Sequence, residues 1–455
     1  MADPSGSARS AKPVSVGEGS CANAAGLAGG TDAVVGVAVG AAAGAAADPA
    51  GESGVAGASS GATAEAAVSP MWRSSFPAMG TRVDLIGWGG NGMAIVNAIV
   101  EVVARHEDLW SVFRVSSELS RLNAAVVSAG GGEGVSRHLA ESAEASAGLV
   151  VSEDTDRLLR DALALAEATG GAFNPMIGPL VAAWDVKAMR AAYVAGAPLP
   201  PAPSSRVVEA ALRASSWGLL SRVGERRWAV GVPAESVGGV DAPSPRLDLG
   251  GIAKGDTADA CRDLAVSMGA RGVLVSVGTS SVSVSGTRAD GSPWRAGLRD
   301  PHGAATSVAG VVELPAGGMA SLSTSGDNLG PLGDARALCA GPVSERVAEP
   351  ASGPAVGPVS ERAADLRARE TSRETPGGGG RIFDHHIIDP RTGYPARSGV
   401  RQVSVVASSG VLAEALSTAL LVDPSIDVSD VAARWARAMG APASAKVVGL
   451  VRAGR

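Results

Sequence analysis

The sequence predicts an α+β fold, on three observations. Helical stripes and short β-branched runs alternate only loosely, without the regular strand–helix–strand rhythm of a parallel sheet. Two strand-like runs, Val273–Val277 and Val282–Ser285, lie as close together as a hairpin would place them. The aromatic residues (8 Trp, 2 Tyr, 4 Phe) all fall within Trp72–Trp294 or Phe383–Trp435, which bounds the core-forming sequence.

The 61 glycines and 27 prolines make up about 19% of the 455 residues, against about 12% in an average globular chain. Much of the excess sits outside those bounds. Residues 1–70 read as a disordered, low-complexity Ala/Gly-rich tail. Residues 327–380 read as a low-complexity insertion, with GPVSER at 341–346 repeated at 357–362. Residues 71–326 and 381–455 remain, enough for one large domain or two intimate subdomains, and the hairpin-like pairs point to mixed or antiparallel sheets.

A net charge of −6 with no long Lys/Arg run argues against a nucleic-acid partner. Cys21, Cys261 and Cys339 are far apart and form no CxxC pair, so neither a disulfide scaffold nor a structural zinc site is expected. The apolar run Ala33–Ala47 is shorter than the roughly 20 residues of a spanning helix and lacks a basic flank. No transmembrane segment or secretory signal is expected, and the cytoplasm is the expected location.

The elements follow in order. Phe76–Trp88 enters a strand, and a helix over Met93–Leu109 carries Ile95, Ile99, Val102 and Val103 on one face. Ser152 caps a second helix, acidic at its start and stopped by Gly170 and Gly171. A third runs from Lys254 to Met268. The two hairpin runs follow it, then a strand at Val403–Ala407, a helix over Leu412–Val422 and a last strand at Val447–Val451.

Chemistry concentrates in a few polar or glycine-rich segments. In Leu247–Gly255 (LDLGGIAKG), Asp248 and Lys254 flank three glycines where a helix begins. Glycines let a ligand approach the backbone, and free N–H groups at a helix start favour anions; a tight strand–helix turn is the plainer reading. Only four lysines accompany 35 arginines, which makes Lys254 distinctive. Glu414 and Thr418 stand at i and i+4 on one helix, suited either to a hard cation or to a solvated surface. His386 reads either as a general base or as a core histidine. Phe113 and Phe173 read as core, or as stacking partners for a flat ring.

Taken in order, the words Ala78–Thr81 (AMGT), Ser117–Asn123 (SELSRLN), Gly170–Asn174 (GGAFN), Leu247–Gly255, Thr324–Gly326 (TSG), His386–Gly393 (HIIDPRTG) and Ala413–Thr418 (AEALST) resemble those of the ApbE family, the FAD:protein FMN transferases. The resemblance spans residues 76 to about 422. It implies an α+β fold and Mg²⁺-dependent transfer of FMN from FAD to a Ser or Thr hydroxyl of a flavoprotein acceptor, with release of AMP. Family targets include subunits of membrane respiratory complexes. Carried over, Met79, Phe113, Ala172, Phe173, Asn174, Asp248, Lys254 and Ile387 would contact FAD. The carbonyl of Gly251, with Glu414 and Thr418, would hold Mg²⁺, and His386 would assist the acceptor hydroxyl.

The chain departs from the family pattern at several positions. Glu414 stands where Asp is usual, Asn174 where Asp is usual, and Met176 where Thr is common. Gly278–Ser280 replaces a Gly-Gly-Asp, and the insertion after Gly326 is long. Two alternatives follow: an FAD pyrophosphatase that yields FMN and AMP, and a catalytically impaired flavin-binding protein.

Overall fold

The computed structural model describes residues 37–38, 71–125, 148–195, 197–233, 242–278, 280–301, 307–315, 318–326 and 386–452, all within the unit Ala33–Arg455. Apart from Val37–Ala38, the expected tail 1–70 lies outside these residues, as does the expected insertion 327–380.

After the short strand β1 (Val37–Ala38), β2 (Met71–Ala78) and β3 (Thr81–Gly89) form a hairpin. Its two-residue turn, Met79 and Gly80, has φ of 52° and 67°, the left-handed pair that matches the twist of the flanking strands. Asn91 caps α1 (Gly92–Trp110) by accepting the Ala94 N–H. Its buried stripe runs Ile95, Ile99, Val103, His106 and Trp110. Next come α2 (Glu118–Ala124), β4 (Leu149–Val150) and α3 (Glu153–Ala168). Ser152 caps α3 as expected. Past its end Gly171 N–H reaches back to Ala166 O at 2.8 Å, a closure that uses the positive φ of Gly170 and Gly171.

Three short helices follow, α4 (Gly178–Ala183), α5 (Val186–Ala195) and α6 (Ser205–Ala214), then β5 (Leu220–Gly224) and β6 (Arg227–Val230). Next are α7 (Ala253–Ser267), β7 (Ala270–Val277), β8 (Ser281–Gly286), β9 (Arg295–Arg299), β10 (Val308–Glu313) and β11 (Met319–Gly326). The chain closes with β12 (Val400–Ala407), α8 (Gly410–Val422), α9 (Val428–Met439) and β13 (Ala445–Arg452).

Seven strands form an antiparallel sheet in the order β13-β12-β11-β8-β7-β3-β2. The alternation of side chains along its strands divides the core in two. Val273, Val275 and Val277 pack with Val83, Leu85, Ile95, Ile99, Ala258 and Cys261 under α1 and α7. Leu274 instead joins Val282, Val284, Trp294, Ala296, Leu298 and Leu322, a cluster that β9 supplies in part. A smaller sheet, β4-β6-β5, shares the largest core cluster with α3, α8, α9 and β12. Helix α8 is buried nearly all round, so it runs through the core and not over the surface.

Candidate functional site

Helices α7 and α8 each begin without a side-chain cap of their own: Ile252 and Ser409, at the two cap positions, make no such bond. Each helix caps the other instead. Glu414 Oε2 accepts the Gly255 N–H at 2.9 Å, and Asp259 Oδ2 accepts the Gly410 N–H at 2.6 Å. Each acidic residue lies four positions beyond the glycine of its own helix. The helix starts touch backbone to backbone, since a Cβ on either glycine would fall 2.3 Å from the other's carbonyl oxygen. Both contacts place negative charge at a helix N-terminus, where the macrodipole favours it.

Glu414 is therefore buried and not part of a solvated face. Its Oε1 accepts a short bond from the Ser281 hydroxyl and lies 3.5 Å from Lys254 Nζ. Lys254 also donates to Gly250 O at 2.8 Å. Asp259 Oδ1 accepts from Ser283, Ser321 and Arg262 at 2.6, 2.5 and 2.8 Å. Burial pushes its pKa up, against the pull of Arg262 and these donors.

The turn before α7 is fixed from both sides. Asn123 pairs with Leu247 as a strand would, accepting its N–H at 2.7 Å and donating to its carbonyl at 3.1 Å. Asp248 N–H donates to Pro175 O at 2.8 Å, and Asp248 Oδ1 accepts from Gly250 N–H at 2.8 Å. A Cβ on Gly251 would meet Phe173 Cε2 at 3.3 Å, so two glycine-rich words lie against each other here. Ala172 and Phe173 are buried. Asn174 is also buried, its amide spent on Ser215 O at 2.7 Å and on Met176 N–H at 2.8 Å.

The remaining site residues sit on separate supports. Thr418 Oγ1 lies 3.3 Å from Ser325 Oγ, which is 2.8 Å from Ser417 Oγ. Met79 N–H donates to Glu107 Oε1 at 2.6 Å, and Arg114 binds Glu107 Oε2 at 2.8 Å. Glu107 thus ties the Met79 turn to the loop that bears Phe113. Phe113 is 84% exposed, so it is not core. His386 opens a closed turn in which Ile388 bridges Pro395, Asp389 N–H donates to Tyr394 O, and Ala396 N–H donates to Ile387 O. Ile387 and Met79 both pack on the main core.

The structure thus brings together Phe173 with Gly251, Asp248 with the Gly170–Pro175 segment, and Lys254 with Glu414. Among the described residues there is no cluster of three or more His, Cys, Asp or Glu side chains suited to a metal. The expected ligands, one carboxylate, a carbonyl and a hydroxyl, are all oxygen donors of the kind Mg²⁺ takes beside waters and substrate phosphates. Sequence reasoning missed Ser281, Ser325, Glu107 and the Asn123 pairing. Asn123 and Ser325 lie inside words already singled out; the other two carry no local signal.

Fold and site together define an α+β protein with a glycine-rich helix start set beside a lysine–carboxylate pair. The sequence model of the ApbE family matches residues 79–332 and 360–440, and the chain belongs to that family. It is 30% identical over 284 residues to an FAD:protein FMN transferase of Treponema pallidum, covering 61% of this chain and 62% of the relative. It is 28% identical over 344 residues to one of Rhodobacter capsulatus, covering 76% and 49%. The matched part is thus less than two thirds of either relative. The crystal structure of the ApbE protein from Thermotoga maritima superposes with a TM-score of 0.53 at 24% identity, over 84% of this chain and 97% of that one. At that identity the likeness shows the fold alone. No helix among the described residues is long and apolar enough to cross a membrane.

Proposed function

We propose that the protein is an FAD:protein FMN transferase that moves FMN from FAD to a Ser or Thr hydroxyl of a flavoprotein acceptor and releases AMP. The observation that carries this reading is the meeting of Lys254, Glu414 and the glycine-rich start of α7 beside Phe173. That grouping offers a pyrophosphate a cation and a glycine-rich turn free of side chains, next to an aromatic ring. Met79, Phe113, Ala172, Phe173, Asn174, Asp248 and Ile387 complete the proposed FAD contacts. The Gly251 carbonyl, Glu414 and Thr418 would hold Mg²⁺, which when bound neutralises charge developing on phosphoryl oxygens.

In the proposed step the acceptor oxygen bonds to the FMN phosphorus while the bond from that phosphorus to the bridging oxygen breaks. The bridging oxygen leaves with AMP, and His386 takes the hydroxyl proton. Lys254 holds the pyrophosphate in place. The proposed catalytic unit is 71–326 with 381–455, flanked by the tail 1–70 and interrupted by the insertion 327–380. The cytoplasm is its proposed location, and a respiratory-complex flavoprotein subunit is the acceptor class.

The test incubates the protein with FAD, Mg²⁺ and such an acceptor, then looks for flavin covalently attached to the acceptor after denaturation. Flavin on the acceptor supports transfer; AMP and FMN released with no labelled acceptor would assign an FAD pyrophosphatase instead. A second reading, a catalytically impaired flavin-binding protein, is favoured by Glu414, both of whose oxygens already hold protein donors. FAD binding without AMP release would establish it.

A further inference from the structure

We infer that Arg391 is a positioning residue, held by Asp389 and Asp423, that fixes the His386 segment against the end of α8; this rests on the transferase reading. Arg391 grips the Asp389 carboxylate with two nitrogens, Nε to Oδ1 and Nη2 to Oδ2, each at 3.1 Å. Its backbone N–H also donates to Asp389 Oδ1 at 2.9 Å. Its remaining arm, Nη1, donates to Asp423 Oδ2 at 2.9 Å, just past the last residue of α8. Asp423 is in turn set by Ser425, whose N–H and hydroxyl both donate to Oδ1.

One side chain thus touches two segments of the proposed site and reaches toward a third. The His386–Gly393 turn carries Arg391, Asp423 ends the helix that bears Glu414 and Thr418, and Arg391 Cγ lies 3.8 Å from where a Cβ on Gly171 would be. Arginine suits this work because its planar fork binds one carboxylate bidentately and keeps a donor for a second. The two carboxylates raise the Arg391 pKa despite burial, and the Asp423 pKa is lowered by Ser425 and Arg391 although burial opposes it. The pairing is therefore ionic throughout the neutral range. Around it, Trp184 Nε1 donates to Gly393 O at 2.8 Å, and Ser398 Oγ donates to Leu421 O at 2.5 Å. The turn is anchored without Arg391; what Arg391 adds is its register against α8.

The test uses two conservative variants of the full chain, Asp423→Asn and Arg391→Lys. Asp423→Asn keeps the acceptor for Ser425 and removes the charge that faces Arg391. Three quantities are measured: AMP released from FAD with Mg²⁺ and acceptor, the FAD dissociation constant by flavin fluorescence, and the His386 ring resonance. With five histidines in the chain, that resonance is assigned by single substitution. The expected result is turnover reduced about tenfold or more with the dissociation constant unchanged and the His386 resonance moved. Turnover and resonance both as in the parent chain would overturn the inference. So would loss of FAD binding in step with turnover, which marks general loosening of the fold. A parent chain that releases no AMP refutes the transferase reading alone, and an unmoved His386 resonance still decides against the positioning role.

Discussion

Protonation of His106 is expected to destabilise the fold by placing a charge in the core beneath the site helix. The ring is 1% exposed and packs against Trp110 in a tilted contact, with centroids 4.2 Å apart. Its Nδ1 lies 2.9 Å from Thr257 Oγ1, and that hydroxyl donates to Ala253 O, in the first turn of α7. With the Thr257 proton so engaged, His106 donates from Nδ1, so protonation adds a charge at the buried Nε2 and leaves the Thr257 bond in place. Burial, reinforced by Arg105, lowers its pKa from 6.5 to about 4. The neutral form is favoured on folding, so this contribution is complete above pH 6.5 and is lost as pH falls towards 4. The difference corresponds to about 3 kcal/mol.

Asp161 acts in the opposite sense. Burial raises its pKa from 3.8 to about 6. Its contribution is complete below 3.8 and is lost as pH rises through 6, again by about 3 kcal/mol. The two oppose each other between pH 4 and 6, so the profile of the parent chain alone isolates neither. Urea unfolding followed by tryptophan fluorescence from pH 4 to 7.5 separates them. Relative to the parent, His106→Gln should gain about 3 kcal/mol on going from pH 7 to 4, and Asp161→Asn should lose a similar amount. A parent-minus-His106→Gln difference that does not vary with pH would refute the assignment of a buried neutral histidine.

Lys254→Ala should weaken FAD binding about tenfold or more, read by flavin fluorescence; unchanged affinity would place Lys254 outside the pyrophosphate site. Gly255→Ala should destabilise the fold by about 1–3 kcal/mol or more in urea unfolding, because its methyl meets backbone atoms that cannot rotate away. Asn123→Ala removes both hydrogen bonds to Leu247 and should cost about 2–3 kcal/mol by the same measurement. Chelation with EDTA should abolish AMP release from FAD and added Mg²⁺ should restore it; turnover that persists in EDTA would exclude the Gly251, Glu414 and Thr418 assignment.

Much of the fold was legible where local signals are strong. Ser152 and the glycine pair bound α3 within a residue of expectation, and the helix expected from Lys254 begins at Ala253. The Ala-rich α4 and α5 gave little stripe, since alanine is indifferent to which face it occupies; α6, which Ser204 caps and which buries Val208 and Ala211, carried a signal that was missed. Helix α9 and strands β5, β6 and β9–β11 were also unread; β5, β6 and β9 are only four or five residues long, and β11 pairs with β12 about 80 residues further on. At the site, the residue types were visible but their partnerships were not. Glu414 looked like a surface acid on spacing alone, because the Gly255 N–H it caps lies 159 residues away. Asp259 and Gly410 are 151 apart and Ser281 and Glu414 are 133 apart, distances over which no periodicity carries information.

The crossing of α7 and α8 acts as a fixed spacer. Gly255 and Gly410 face each other's carbonyl oxygens, so positions 255 and 410 behave as one mutational unit and neither can gain even a methyl group alone. The helices cannot close further, and the mutual caps keep them from drifting apart. The glutamate at 414, where the family resemblance leads one to expect an aspartate, cannot then be accommodated by moving a helix. The extra methylene is taken up by the side chain itself, which spans the gap to the first turn of α7. The same carboxylate that would meet a ligand thereby clamps the scaffold, so changes selected for chemistry at residue 414 are also tested by folding.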